Sequence, residues 1–151
     1  MKLKIHKSAL TMTRIGAAAI DMFLISFVYG VIVAVATGNY SAVANRFYVS
    51  FGNYKYDLIF VLVLMIVYFV FLPLVWNGFT VGKKLTRTRI VMEDGAQAGL
   101  STLLLRFIAI VLPNIILLGM PAIVNIYIML FRKDNKGYHD IVTKTKIVSV
   151  L

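Results

Sequence analysis

An arginine and an aspartate stand in an apolar run where charged side chains are costly. Arg14 opens the stretch Arg14 to Ala36 and Asp21 interrupts it, and the stretch is long enough to cross a bilayer. The arginine can reach the headgroups. The aspartate cannot, and an intramembrane carboxylate costs a few kcal/mol or more, so it must face protein or water. Two helical turns separate the two residues, which puts them on nearly one face about 10 Å apart along the axis. They cannot pair directly, but they address the same neighbours.

A second buried cation is predicted at Arg106, inside the later apolar unit. Arg106 lies as far beyond Leu100 as Asp21 lies beyond Ile15. If both helices enter from one side, each group sits about 9 Å deep. Equal depth makes Asp21 and Arg106 the expected pair. Two roles are open for it: an ion pair that fixes helix register, or a site that titrates or coordinates a cation. Asn114 and Asn125 add polar groups nearby, and Asn114, beside Pro113, can satisfy freed backbone groups.

Other chemistry is poorly supplied. The chain has no cysteine, which excludes disulfides, thiolate metal sites and thiol catalysis. His139-Asp140 is too small a set for zinc, and His6 has no identifiable partner. Gly78 to Lys83 falls one residue short of a phosphate-binding loop, and Lys84 stands where serine or threonine must hold magnesium. No hydroxyl has the context of a nucleophile. The expectation is a protein that is not an enzyme, with no cofactor and no metal site.

These residues need elements to hold them, and composition says which. Of 151 residues, 60% are hydrophobic, and the mean hydropathy is +0.87, well above a soluble domain. The reading is one all-α membrane domain over residues 1–151. The net charge of +10 flanks apolar segments, so it points to the membrane surface and not to nucleic acid. The Lys-rich start followed by an apolar run resembles a signal peptide, but the run is too long and contains Asp21; it is read as an uncleaved span. Thr13 is the expected cap of that first helix. Gly16 to Ala19 form a small-residue face suited to close packing or to a homo-oligomer. Residues 37–56 form a polar loop with interfacial tyrosines, and Leu58 to Trp76 a second span, kinked near Pro73, with few polar side chains. Leu100 to Phe131 is a third apolar unit, broken at Pro113-Asn114 and Gly119-Met120-Pro121. It reads as a helical hairpin, with a single crossing as the competing arrangement.

Residues 77–99 and 132–151 are polar and basic. Thr86 to Val91 and Thr143 to Val148 share one alternating pattern of threonine, base and β-branched residue. A lone strand leaves its backbone unsatisfied, so Leu85–Met92 and Thr143–Val150 are expected to pair as a small two-stranded cytoplasmic β element. Basic residues crowd the leader (Lys2, Lys4, Lys7, Arg14), the second loop (Lys83, Lys84, Arg87, Arg89) and the tail, whereas the first loop has only Arg46 and Lys55. The positive-inside rule then makes both termini cytoplasmic in a multi-pass membrane protein.

At this point the chain resembles the RDD family of small bacterial membrane proteins. That family is named for an arginine at the start of the first transmembrane helix, an aspartate within it, and a further aspartate. Arg14 and Asp21 match the first two, and Asp140 the third, because His139-Asp140-Ile-Val-Thr-Lys-Thr-Lys-Ile-Val is similar to the family's closing segment. A glycine usual before the threonine of that segment is Lys144 here. Gly78-Phe-Thr-Val-Gly82-Lys83 matches the family's Gly-x-Thr-x-Gly-Lys stretch, and Arg106 falls where members often carry an arginine. The resemblance implies transport of an unassigned ligand, with sodium/proton antiport attributed to some members.

Three function classes therefore stand as expectations. One is a cation/proton exchanger, or a transporter of an unknown ligand, that uses Asp21 with Arg14, Arg106 and Asp140 and has Na+ or H+ as partner. Another is a non-transporting scaffold or accessory protein. The third is a surface that binds anionic lipid headgroups through Lys83, Lys84, Arg87 and Arg89.

Overall fold

The computed structural model describes residues 9–44 and 49–150. Lys2, Lys4, His6 and Lys7 of the leader and Arg46 of the first loop lie outside the described residues. The first helix, α1, spans Thr11–Thr37 and ends at Gly38, whose φ of 70° is the left-handed stop that glycine adopts freely. Its cap position is Leu10, without a side-chain bond. Thr13, expected at the cap, lies inside the first turn, and the Thr11 hydroxyl instead donates to the Met129 carbonyl at 2.9 Å. A single turn, α2 (Ser41–Ala44), follows.

The second long helix runs over Tyr54–Val75 as α3 (Tyr54–Ile66), a wide π turn (Val67–Phe71) and α4 (Leu72–Val75). It starts ahead of the expected Leu58 because the Asn53 side chain accepts from the Lys55 amide. The π turn ends just before Pro73, which lacks an N–H and crowds the preceding turn, and a widened turn relieves that. At about 1.5 Å per residue, α1 and this helix are both long and apolar enough to cross a membrane.

The third apolar unit is two shorter helices, α6 (Leu100–Ile116) and α7 (Met120–Phe131). The break falls at Leu117 to Gly119, not at Pro113-Asn114, and Pro121 sits harmlessly in the first turn of α7. Asn114 ties the turn together: its amide donates to the Ile110 carbonyl at 2.6 Å and accepts from the Ala122 amide at 3.0 Å.

Two short segments outside the spans are built alike. The first is α5 (Val81–Leu85) followed by β1 (Thr88–Met92), and the second is α8 (Tyr138–Val142) followed by β2 (Thr145–Ser149). The strands pair antiparallel with Ile90 opposite Ile147. One shift in numbering carries Gly78 to Asn135, Gly82 to His139, Thr86 to Thr143, Arg87 to Lys144 and Thr88 to Thr145. Both members of the first pair and of the Arg87/Lys144 pair have positive φ. Thr86 and Thr143 each bond back to the carbonyl four residues earlier, Gly82 and His139 respectively. The echo in sequence is thus a structural repeat related by a near two-fold through the centre of the sheet. Ile90 and Ile147 join Val70, Leu103 and Phe107 in the buried core between sheet, second long helix and α6.

Candidate functional site

The repeat delivers two sets of polar groups onto one stripe of α1. Thr11, Arg14, Ala17, Asp21 and Ile25 are the buried positions of its first half, a helical stripe. Gly82 can approach α1 because it has no side chain: a Cβ there would meet the Ala17 carbonyl and, at 2.8 Å, the Asp21 carboxylate. Gly78, at φ 91°, is as tightly placed against the Ile90 backbone. The two glycines of the Gly78-Phe-Thr-Val-Gly82 stretch are thus both required by close approach.

Asp21 is fully buried. Its Oδ1 accepts from the Tyr68 hydroxyl at 2.6 Å and the Gly82 amide at 2.7 Å, and its Oδ2 accepts from the Thr80 hydroxyl at 2.6 Å. The Lys83 Nζ stands 3.8 Å away. Burial pushes the Lys83 ammonium down to about 8, against the pull of Asp21. Lys83 therefore changes charge close to physiological pH.

Asp140, also fully buried, holds both arginines. Its Oδ2 accepts from Arg14 and from the Gly137 amide, and its Oδ1 accepts from Arg106. Arg14 also donates to the Asn135 carbonyl, and Arg106 to the Thr145 hydroxyl at 2.6 Å. Burial favours the neutral acid, but Arg106 above all, with Arg14, holds Asp140 well below the usual carboxylate range. His139 is pushed down to about 3 by burial and by Arg106, so its imidazole is neutral. Its Nε2, 3.5 Å from Asp140, is then no ion-pair partner at neutral pH.

The expected pair of Asp21 with Arg106 is not formed: Arg106 pairs with Asp140, and Asp21 is answered by Tyr68, Thr80, Gly82 and Lys83. Matching helix depths considered only the spans. Asp140, and the Thr80, Gly82 and Lys83 that meet Asp21, come from segments that fold back onto the helices after leaving them; Tyr68 alone of these partners stands on a long helix. The structure brings Arg14, Arg106 and Asp140 into one cluster, with Asp21 on the same face of α1. It separates the basic set: Lys83 turns inward, Lys84 lies 4.5 Å over the Trp76 ring, Arg87 is exposed at its left-handed turn, and Arg89 is half-buried.

Sequence reading missed Tyr68 and Thr80. The second long helix has few polar side chains, yet its π turn supplies a donor to Asp21; Thr80 stands between the two glycines. It also missed Asp57, which accepts from Tyr29, Ser50 and the Phe51 amide at 2.6, 2.5 and 2.8 Å and ties the first loop to α1.

A cavity of about 280 Å³ lies among α1, α6 and α7. Arg14, Asp21, Lys83, Arg106 and His139 line one part of it, and apolar side chains such as Phe107, Ile110, Ile126 and Met129 line the rest.

The RDD family model matches residues 8–144. An uncharacterized protein of Bacillus subtilis (strain 168), YckC, is 28% identical over 145 residues, covering 96% of this chain and 87% of that protein. No solved structure matches.

Proposed function

The chain belongs to the RDD family, and we propose that it is a proton-coupled carrier of the plasma membrane whose cargo occupies the cavity beside Asp21 and Lys83. One observation carries this reading: ionisable groups from both clusters, Asp21 and Lys83 from one and Arg14 and Arg106 from the other, line the same cavity between helices, and buried ionisable groups among apolar helices mark transport paths. Lys83 is the proton-exchanging group best supported, because burial brings its titration to about 8 while Asp21 stays tied by its donors. A cargo bound beside Lys83 changes how firmly the ammonium holds its proton, and so couples its own movement to the proton's. The test is flux in liposomes that contain only this protein, with an imposed pH gradient and a panel that includes sodium. Proton movement that requires cargo, and that Lys83→Met abolishes in a folded protein, supports the carrier. No flux at any pH overturns it.

The same reading places both termini in the cytoplasm. Pairing of β1, which precedes α6, with β2, which follows α7, favours an even number of crossings between them. A cysteine at Ser149 should resist membrane-impermeant labelling in intact cells, and ready labelling would refute this topology. A scaffold is the second reading. It is favoured by the saturation of both carboxylates with protein donors, the pattern of a closed structural network.

A further inference from the structure

Resting on the carrier reading and naming the class of its cargo, we propose that the cavity binds an amphiphilic anion: one carboxylate or phosphate group on an apolar body. Its charged end lies among Arg14, Lys83 and His139, and its apolar end along α6 and α7.

The lining is divided in the way such a ligand is. Basic and polar side chains gather at one part, and Phe107, Ile110, Ile126 and Met129 make up the other. Ligand sites generally combine apolar walls with a few convergent polar groups, and at about 280 Å³ this one falls just below the usual range. A short chain fits it; a whole two-tailed lipid does not.

Charge selects the sign. Arg14, Lys83 and Arg106 line the cavity against Asp21 alone, because Asp140 stands outside the lining and is already shared by the two arginines. A cation entering here meets a surplus of its own sign and two carboxylates whose oxygens are taken. An anion meets an unbalanced positive wall in a medium of low dielectric, where that balance weighs heavily.

Among the described residues, two buried atoms of the cavity-lining side chains lack hydrogen-bond partners. Arg14 and His139 are only 7% and 6% exposed, yet the Arg14 Nε and the His139 Nδ1 have no hydrogen-bond partner. Buried polar atoms are nearly always satisfied, so each calls for an explanation. The Nε–H of a guanidinium can only donate, and a carboxylate or phosphate oxygen is its natural acceptor. The His139 Nε2 lies too far from Asp140 for a strong hydrogen bond, so the imidazole proton can sit on Nδ1 and donate as well. Both residues line the cavity.

The experiment is equilibrium binding of radiolabelled dodecanoate to the full chain in phosphatidylcholine nanodiscs, counted above empty discs. Competitors are dodecyl phosphate, dodecanol and acetate. The expected result is displacement by dodecyl phosphate, with dodecanol and acetate each weaker by about tenfold or more, roughly the worth of one charge-assisted hydrogen bond. Lys83→Met should weaken dodecanoate by a similar factor and leave dodecanol unchanged, and Lys83→Arg should restore it. Ala18→Phe and Ala122→Phe, at exposed positions of the lining, should each block binding without unfolding the chain. Lysophosphatidic acid built into the disc identifies the source: better competition than dodecanoate from water assigns the anion to the bilayer, and the reverse assigns it to a free acid. Dodecanol binding as tightly as dodecanoate, or indifference to both phenylalanine variants, overturns the proposal. Sodium flux with no dodecanoate binding overturns this ligand class and leaves the carrier. Dodecanoate binding with no flux of any cargo leaves the ligand class and removes the carrier.

Discussion

Asp140→Asn tests the charge network at its centre. The carboxylate accepts from Arg14, Arg106 and the Gly137 amide, and no part of it is exposed. Asparagine keeps the shape but has one acceptor oxygen, so its NH2 group faces one of the two guanidiniums donor to donor. One charge-assisted bond is worth about 1.5–3 kcal/mol, and breaking a buried pair with a cation left uncompensated costs about 3–5 kcal/mol in all. In a chain of this length each kcal/mol moves Tm by about 2–4 °C, so Tm should fall by about 10 °C. Adding Arg106→Met removes the surplus cation and fills its place with an apolar chain, and more than half of the loss should return. The contrast is Asp21→Asn with Arg106→Met. Asp21 takes its bonds from Tyr68, Thr80 and Gly82, so the second change should recover none of the loss of the first. The assay is thermal unfolding of the single and double variants in nanodiscs, read as two double-mutant cycles. A coupling of about 2 kcal/mol is expected for Asp140 with Arg106, and under about 0.5 kcal/mol for Asp21 with Arg106. Coupling that is equal, or larger for Asp21, would refute the arrangement of charges described above.

Lys144 and Arg87 hold φ of 50° and 53° at equivalent points of the repeat, a conformation that costs most side chains about 1 kcal/mol. Lys144→Gly and Arg87→Gly should each therefore raise thermal stability slightly, and a fall in Tm for both would contradict the strained turns. Gly82→Ala should prevent stable folding, because the added Cβ meets the Ala17 carbonyl and the Asp21 carboxylate; normal yield and Tm of that variant would mean that α5 does not seat on α1. Stability should rise as pH goes from about 8 towards 10.5. The Lys83 value in the fold is about 8 against 10.5 when unfolded, so in that window the unfolded chain binds more protons, and below it the buried ammonium is fully unfavourable. Lys83→Met should flatten this rise in a pH series of melting curves, and an unchanged slope would assign it to another group.

The two long helices were legible because lipid leaves no choice: about twenty apolar residues in a row must bury their backbone bonds within one helix. The small sheet was legible for the opposite reason, since a period-two pattern with charges on one face has no use inside a membrane and needs a partner strand. Local detail gave way to local chemistry. Pro113 and Asn114 looked like a break, but the Asn114 side chain satisfies a carbonyl within α6 and an amide of α7, so the helix runs on to the left-handed residues Leu118 and Gly119. The buried carboxylate at position 21 could be read from its cost alone. Its partners could not, because Thr80, Gly82 and Lys83 come from a segment that leaves the span and folds back, and no depth count along helices contains that return.

The repeat accounts for why these charges stand where they do. The shift that carries Gly82 to His139 carries Lys83 to Asp140, so equivalent positions bear opposite charges. Each copy docks on α1 from outside the spans, the first beside Asp21 and the second at Arg14. The two charges on α1 are the complements of the two docking residues: an aspartate receives the lysine, and an arginine receives the aspartate. The two turns between Arg14 and Asp21 set the spacing of the docking points, and the pairing of β1 with β2 fixes how far apart the copies can sit. Arg106 then makes the clusters unequal. It gives Asp140 a second cation and so leaves one positive charge in surplus beside the cavity, where burial has already brought Lys83 to the edge of losing its proton.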